Sequence, residues 1–278
     1  MGNKIYVLTN EFKDKGSLLA NSIIEILKDI SECKIVKSEF EVENDAKIVL
    51  VIGGDGTMLQ SIKRLCDRDF PVVGINRGTL GFLTEIEESD MRNALSDIVN
   101  GEYDVEERII LSGQASNKRD GCQTLSYDGI AVNDIVFKAS GAKLITLQVF
   151  INDKYMDTYV CDGLIFATPT GSTAYNLSAG GPVLMPEIQG TVITPICPQA
   201  INKRSIVVPD KDKISVVVGQ SKEYAIDKVV VSVDGMSDLL LETGDKFTIT
   251  RSETKAKIAR LKESNVIHRV LTKLNRTL

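Results

Sequence analysis

Apolar positions follow two different rhythms along this chain, and the change falls near Gly101. In the first hundred residues, short strand-like runs alternate with helical spacing. Ile5–Leu8 reads as a strand, and Leu19, Ile23, Ile26 and Ile30 then recur at the three-and-four spacing of one helix face. Ile48-Val49-Leu50-Val51-Ile52 is an unbroken apolar run, as a strand covered on both faces requires. It breaks at Gly53-Gly54, after which Met58, Ile62 and Leu65 mark a second helical face and Pro71–Ile75 the next strand. Strand–helix–strand order predicts an α/β domain with a parallel sheet and right-handed crossovers. Ligands of such a sheet gather at the carboxyl ends of its strands.

Beyond residue 101 the period becomes two. Ile145, Leu147, Val149 and Ile151 alternate with Thr146, Gln148, Phe150 and Asn152, the signature of a half-buried strand. Leu164–Ala167, Ile206–Val208, Ile214–Val218, Val229–Val233 and Phe247–Thr250 are further β runs with few helical patterns between them. The expected organisation is an α/β domain over 1–100 and a mostly β domain over 101–262. A C-terminal segment, 263–278, carries Val266, Ile267, Val270, Leu271 and Leu274 and is expected to pack back on the body.

Two clusters carry candidate chemistry. Gly53-Gly54-Asp55-Gly56-Thr57 joins a buried strand to a helix. Glycines there let a ligand approach main-chain N–H groups closely, and the positive end of the following helix suits a phosphate. The loop is not a Walker A motif, since no Gly-Lys-Ser/Thr follows, and Leu59 occupies the place of the third glycine of a GxGxxG fingerprint. A carboxylate at a phosphate site repels the phosphate, so Asp55 is expected to accept a hydroxyl proton or hold a cation. The plainer alternative is an ordinary tight strand–helix turn. The second cluster runs from Asp162-Gly163 through a strand into eleven residues, Thr168–Ser178, rich in hydroxyls with one amide and one aromatic ring. Such a loop can hydrogen-bond sugar hydroxyls while Tyr175 stacks on a ring. A helix cap would explain only one or two of its residues.

Composition narrows the classes. Lys and Arg number 33 against 38 Asp and Glu, a net charge of −5, which offers no electrostatic footprint for a nucleic-acid backbone. No apolar stretch approaches the roughly 18 residues of a membrane span, and the N-terminal residues lack a signal-peptide core. The five cysteines include no CxxC pair, which fits neither a disulfide framework nor a zinc site. A reduced, cytoplasmic setting is therefore expected. The single histidine, His268, leaves little room for mechanisms built on a histidine base and is expected to be structural.

In order and spacing, Gly53–Thr57, Asn76-Arg77-Gly78-Thr79-Leu80-Gly81-Phe82-Leu83, Asn133-Asp134 and Thr168–Pro182 resemble the NAD kinase family. The Gly-Gly-Asp-Gly-Thr element alone also resembles lipid kinases and phosphofructokinases, whereas Thr-Pro-Thr-Gly-Ser-Thr-Ala-Tyr is specific to NAD kinases. The resemblance implies an α/β domain and a β-rich domain with the active site between them. It implies ATP as phosphoryl donor, a divalent cation such as Mg2+ with no ligands assigned, and assembly as a homo-oligomer, a dimer or tetramer. The reaction implied is phosphorylation of the 2′-hydroxyl of the adenosine ribose of NAD, giving NADP. Asp55 would be the proton acceptor, and Gly53, Gly54, Gly56 and Thr57 would lie along the ATP phosphates. Asp55, Gly56, Asn133, Asp134 and Asp162 would contact NAD, as would Thr170, Thr173, Ala174, Tyr175, Asn176, Leu177 and Ser178. No nucleic acid or membrane partner is implied.

One departure stands out. Many relatives carry Arg or Lys two residues before the aspartate of the Asp-Gly pair, where Val160 stands here. Lys143, in the β domain, is the expected substitute cation. A lipid kinase of the same broad fold and a non-catalytic dinucleotide-binding regulator are the alternatives. The polar Thr168–Ser178 stretch argues against an acyl chain, and Asp55 argues against a pure binder.

Overall fold

The computed structural model describes residues 4–9, 14–28, 32–77, 81–118, 124–141, 143–220, 228–236 and 239–261. Ile30, residues 78–80, Cys122, His268 and the expected tail 263–278 lie outside them. The chain divides into two compact units, parting at Arg108/Ile109 and again at Thr254/Lys255.

The first unit opens with β1 (Lys4–Leu8), α1 (Leu18–Leu27), β2 (Cys33–Val36), β3 (Ala46–Ile52), α2 (Asp55–Leu65), β4 (Val72–Asn76), β5 (Thr84–Glu87), α3 (Met91–Asn100) and β6 (Tyr103–Arg108). β1 pairs in parallel with β2 and β3, β3 with β4, and β4 with β5. Helices cover the sheet because their apolar stripes do: Leu19, Ile23 and Leu27 of α1, Met58, Ile62 and Leu65 of α2, and Leu95 and Ile98 of α3 are all buried. Asp14, fully buried, accepts from the N–H groups of Leu19 (3.0 Å) and Ala20 (2.9 Å) at the start of α1. It also accepts from Arg77 Nη1 at 2.7 Å, just beyond β4. Burial alone would raise its carboxyl, but these N–H donors and Arg77 hold it below the usual carboxylate range.

The second unit contains β7 (Leu111–Lys118), β8 (Thr124–Ala131), β9 (Asp134–Ala139), β10 (Ile145–Ile151), β11 (Lys154–Cys161), β12 (Gly163–Ala167), α4 (Tyr175–Ser178), β13 (Gly190–Ile196), β14 (Ile206–Pro209), β15 (Ile214–Val218), β16 (Lys228–Val233), β17 (Leu239–Glu242) and β18 (Lys246–Arg251). They form two six-stranded antiparallel sheets, in the orders β11-β10-β15-β18-β7-β8 and β14-β13-β12-β9-β16-β17. Alternation decides which side chains meet. Phe137, Phe166, Val229 and Val231 of one sheet share a core with Leu147, Val149, Val216 and Phe247 of the other. Phe137 packs edge-on against Phe166 and Phe247 at 5.5 and 5.4 Å.

The opposite face of the second sheet is set by the same alternation. It presents Asp134, Val136 and Lys138 from β9, opposite Ala167, Ile165 and Gly163 of β12, and Val230 and Ser232 from β16. A smaller cluster of Val136, Ile165, Ala167 and Val192 lies on this face, covered by Tyr175, Ala179 and Leu184.

The chain then returns to the first unit. β19 (Ala256–Leu261) pairs antiparallel with β6 and parallel with β4, completing a seven-stranded sheet. The sequence places the boundary near Gly101, but β6 belongs to the first sheet. Its partner lies some 150 residues away, and its alternation is indistinguishable from that of the strands that follow.

Candidate active site

The glycine turn lies at the carboxyl end of β3, where the parallel sheet was expected to receive its ligand. Gly53 is needed by its neighbour, since a Cβ there would come within 2.6 Å of Thr57 Oγ1. Gly54 and Gly56 are different. Neither has a positive φ, and a Cβ on either would meet nothing within 4 Å. Gly56 sits inside the first turn of α2, where glycine costs about 1 kcal/mol relative to alanine. What that cost secures is bare, approachable backbone at a helix N-terminus.

Asp55 opens α2 and is held from the far side. Its Oδ2 accepts the N–H of Phe82 at 2.7 Å and its Oδ1 that of Leu83 at 2.9 Å. Gly81 packs so closely that a Cβ there would overlap Oδ1. Gly81 is held in turn, its N–H donating to the buried Thr84 hydroxyl at 3.0 Å. Each carboxylate oxygen is therefore fixed by a backbone donor from the segment after β4.

In the second unit, Asn133, Asp134, Ala174 and Tyr175 line one cavity of about 430 Å3, together with Val136, Lys138, Val230, Ser232, Asp234 and Gly235. The Asn133–Asp134 turn is clamped on both sides. Asp234 accepts the N–H groups of Val132 (3.0 Å), Asn133 (2.7 Å) and Asp134 (3.2 Å). On the other side Thr168 donates its N–H to Asn133 O at 2.9 Å and its hydroxyl to Val132 O at 2.6 Å. Gly171 lies against the same carbonyl, where a Cβ would overlap Asn133 O. Asp134 is only 5% exposed, and burial, with the Asp234 charge beside it, pushes its carboxyl up to about 7. Lys138 opposes that shift and lies over the Tyr175 ring, its Nζ 4.4 Å from the centroid.

The hydroxyl loop spends several polar groups on itself. Ser172 donates to Pro169 O at 2.6 Å and accepts the Leu184 N–H at 3.0 Å. Asn176 is fully buried. Its amide donates to Ser172 O and Pro182 O, both at 3.0 Å, and accepts from Thr194 at 2.7 Å. Thr170 is buried and Thr173 donates to its carbonyl at 3.3 Å, while Leu177 is half-buried and Ser178 exposed. None of these six lines the cavity.

Two expected residues, and the Val160 position, stand elsewhere in the second unit. Asp162 is exposed and precedes β12, at the opposite end of that strand from Thr168. Lys143 is exposed ahead of β10 and does not line the cavity, whereas Lys138 does. Val160 is half-buried on β11, on the face away from Tyr159 and Cys161, which enter the core. Sequence reasoning missed Lys138, Ser232 and Asp234. The period-two row Asp134-Val136-Lys138 was the signal that would have found the first.

Models of two known domains match the chain: the ATP-NAD kinase N-terminal domain over residues 6–103 and the ATP-NAD kinase C-terminal domain over residues 132–261. An NAD kinase of Lachnoclostridium phytofermentans is 34% identical over 281 residues, covering 97% of this chain and 98% of the relative. One from Moorella thermoacetica is 40% identical over 232 residues, covering 82% and 71%. Among solved structures, an NAD kinase from Archaeoglobus fulgidus in complex with ATP superposes with a TM-score of 0.77 at 26% identity, over 98% of each chain. Yeast NADH kinase complexed with NADH shares the fold, with a TM-score of 0.80 at 22% identity over 98% of this chain and 87% of that one. Matches over both units define an enzyme, a phosphotransferase. The chain belongs to the NAD kinase family.

Proposed function

We propose that this enzyme transfers the γ-phosphoryl group of ATP to the 2′-hydroxyl of the adenosine ribose of NAD, with Asp55 accepting the hydroxyl proton. The ribose oxygen bonds to phosphorus as the bond to ADP breaks, and the proton passes to the Asp55 carboxylate. Phosphoryl transfer leaves the protein mainly positioning and charge stabilisation to supply. The fixing of Asp55 by Phe82 and Leu83, beside the open backbone of Gly54 and Gly56, is the observation that carries this reading. Gly53, Gly54, Gly56 and Thr57 serve the ATP phosphates, and Asn133, Asp134, Ala174 and Tyr175 the dinucleotide. Lys138 is the better-placed cation for it than Lys143. Asn176 acts by holding the loop, with Thr170, Thr173, Leu177 and Ser178 around it, and Asp162 serves the nicotinamide side.

Among the described residues no three His, Cys, Asp or Glu side chains are grouped to hold a metal ion. A divalent cation, proposed as Mg2+, would be held chiefly by the ATP phosphates and would offset their charge. No described helix is long and apolar enough to cross a membrane. A cytoplasmic homo-oligomer, dimer or tetramer, is part of the same proposal. Incubation with NAD, ATP and Mg2+ followed by an NADP-specific assay tests it. NADP formation supports the reading; dinucleotide binding without NADP would make the chain a regulator instead.

A further inference from the structure

Asp234 has no part in the roles assigned so far, yet its carboxylate takes three consecutive N–H groups, those of Val132, Asn133 and Asp134. It reaches them across about a hundred residues of sequence, so local chain folding does not explain the contact. The backbone bends to make it. Asp234 sits at φ +52° and Gly235 at +70°, the left-handed region that non-glycine residues enter at a cost. The Asp234 N–H completes the link, donating to Asp134 O at 3.0 Å. Both Asp234 and Gly235 line the same cavity as the turn that Asp234 holds.

We propose that Asp234 is a positioning residue for dinucleotide binding, fixing the Asn133–Asp134 turn so that both side chains address one ligand. The proposal rests on the NAD reading of this cavity. A second effect follows from charge. After burial, the charge of the Asp234 carboxylate is what most discourages ionisation of Asp134. Among the described residues, the titratable groups sharing the cavity with Asp134 are Asp234, Lys138 and Tyr175. Lys138 favours the ionised form; burial and Asp234 favour the neutral one. A neutral Asp134 can donate a hydrogen bond to a ribose or base acceptor, which an ionised one cannot.

Asp234→Asn separates this role from simple folding support. The amide keeps one acceptor and loses the charge, so the turn keeps part of its clamp. The expected result is a rise of about tenfold in NAD KM and in the calorimetric Kd, with a smaller change in kcat. In parallel, the Asp134 carboxyl, followed by carbon NMR on uniformly folded protein, should titrate at lower pH than in the parent. It should stay above the ordinary carboxylate range, because burial remains. Asp234→Glu, which keeps the charge, should restore the parent Asp134 titration more fully than it restores KM, and it serves as the test if the asparagine variant does not fold. The NMR titration needs no ligand, so it stands even if the parent makes no NADP, an outcome that would sink the functional reading alone. An unmoved Asp134 titration with unchanged KM and Kd would overturn the proposal. So would activity lost only in step with folded protein.

Discussion

The two carboxylates on which the proposed function rests, Asp55 and Asp134, are held in opposite ways. Asp55 is half-exposed, opens a helix, and has one backbone N–H fixed on each oxygen. Asp134 is 5% exposed, and burial, with the charge of another carboxylate, that of Asp234, pushes it up to about 7. The first arrangement aims an acceptor; the second prepares a group that can hold its proton near neutral pH. The residue type is the same, and the surrounding backbone decides the chemistry.

Replacing each in turn should break the symmetry, and the largest effect belongs to Asp55. Asp55→Asn should lower kcat by about 10²–10⁴-fold, the usual contribution of a general base. The amide can satisfy only one of the Phe82 and Leu83 donors, so a modest fall in melting temperature should accompany it. A variant with near-parental kcat and an unchanged pH profile would remove Asp55 from the base role. Gly81→Ala comes next, because its methyl group would overlap Asp55 Oδ1 and move the carboxylate without altering its chemistry. Misplacement of that kind costs on the order of 10²-fold in kcat, and an undiminished rate would show that the Asp55 position is not critical.

On the other carboxylate's side the effects should fall mainly on binding. Tyr175→Ala should weaken NAD binding by roughly five- to hundredfold, if a stacked base contributes about 1–3 kcal/mol as elsewhere. Calorimetry giving the parental affinity would instead mark Tyr175 as a cover for Val136 and Ile165. The smallest effect concerns stability. Asp134 has a folded pKa near 7 against an ordinary value of 3.8, so the folded state binds the extra proton and stability falls as pH rises between the two. Asp134→Asn has no such loss. It should melt a few degrees higher than the parent at pH 8 and level with it near pH 4, and an equal gap at both pH values would contradict the raised pKa.

Much of this arrangement was legible along the chain. The apolar run Ile48–Ile52 became β3, buried on both faces, and the glycine turn fell at its carboxyl end. Ile145, Leu147 and Val149 turned inward together, as their alternation required. The site was less legible where the fold uses polar groups on itself. Asn176 looks like a ligand contact in sequence, but three internal hydrogen bonds occupy it. Asp234 looks like an ordinary turn residue, because its partners lie a hundred positions upstream. Periodicity reports which side of an element is buried; it carries no record of which distant backbone a carboxylate will serve.

The pairing of β6 with β19 governs the order in which the protein can be made. Arg108 and Ala256 face each other in register, so the second unit is an insertion between two neighbouring strands of the first. During synthesis, everything from Ile109 to Thr254 emerges before the first sheet can receive its last described strand. The β unit can close on its own contacts while the N-terminal unit still lacks β19 beside β4 and β6. The usual sequence of N-terminal domain first is thereby reversed: the part of the chain that carries Asp55 is begun first and finished last.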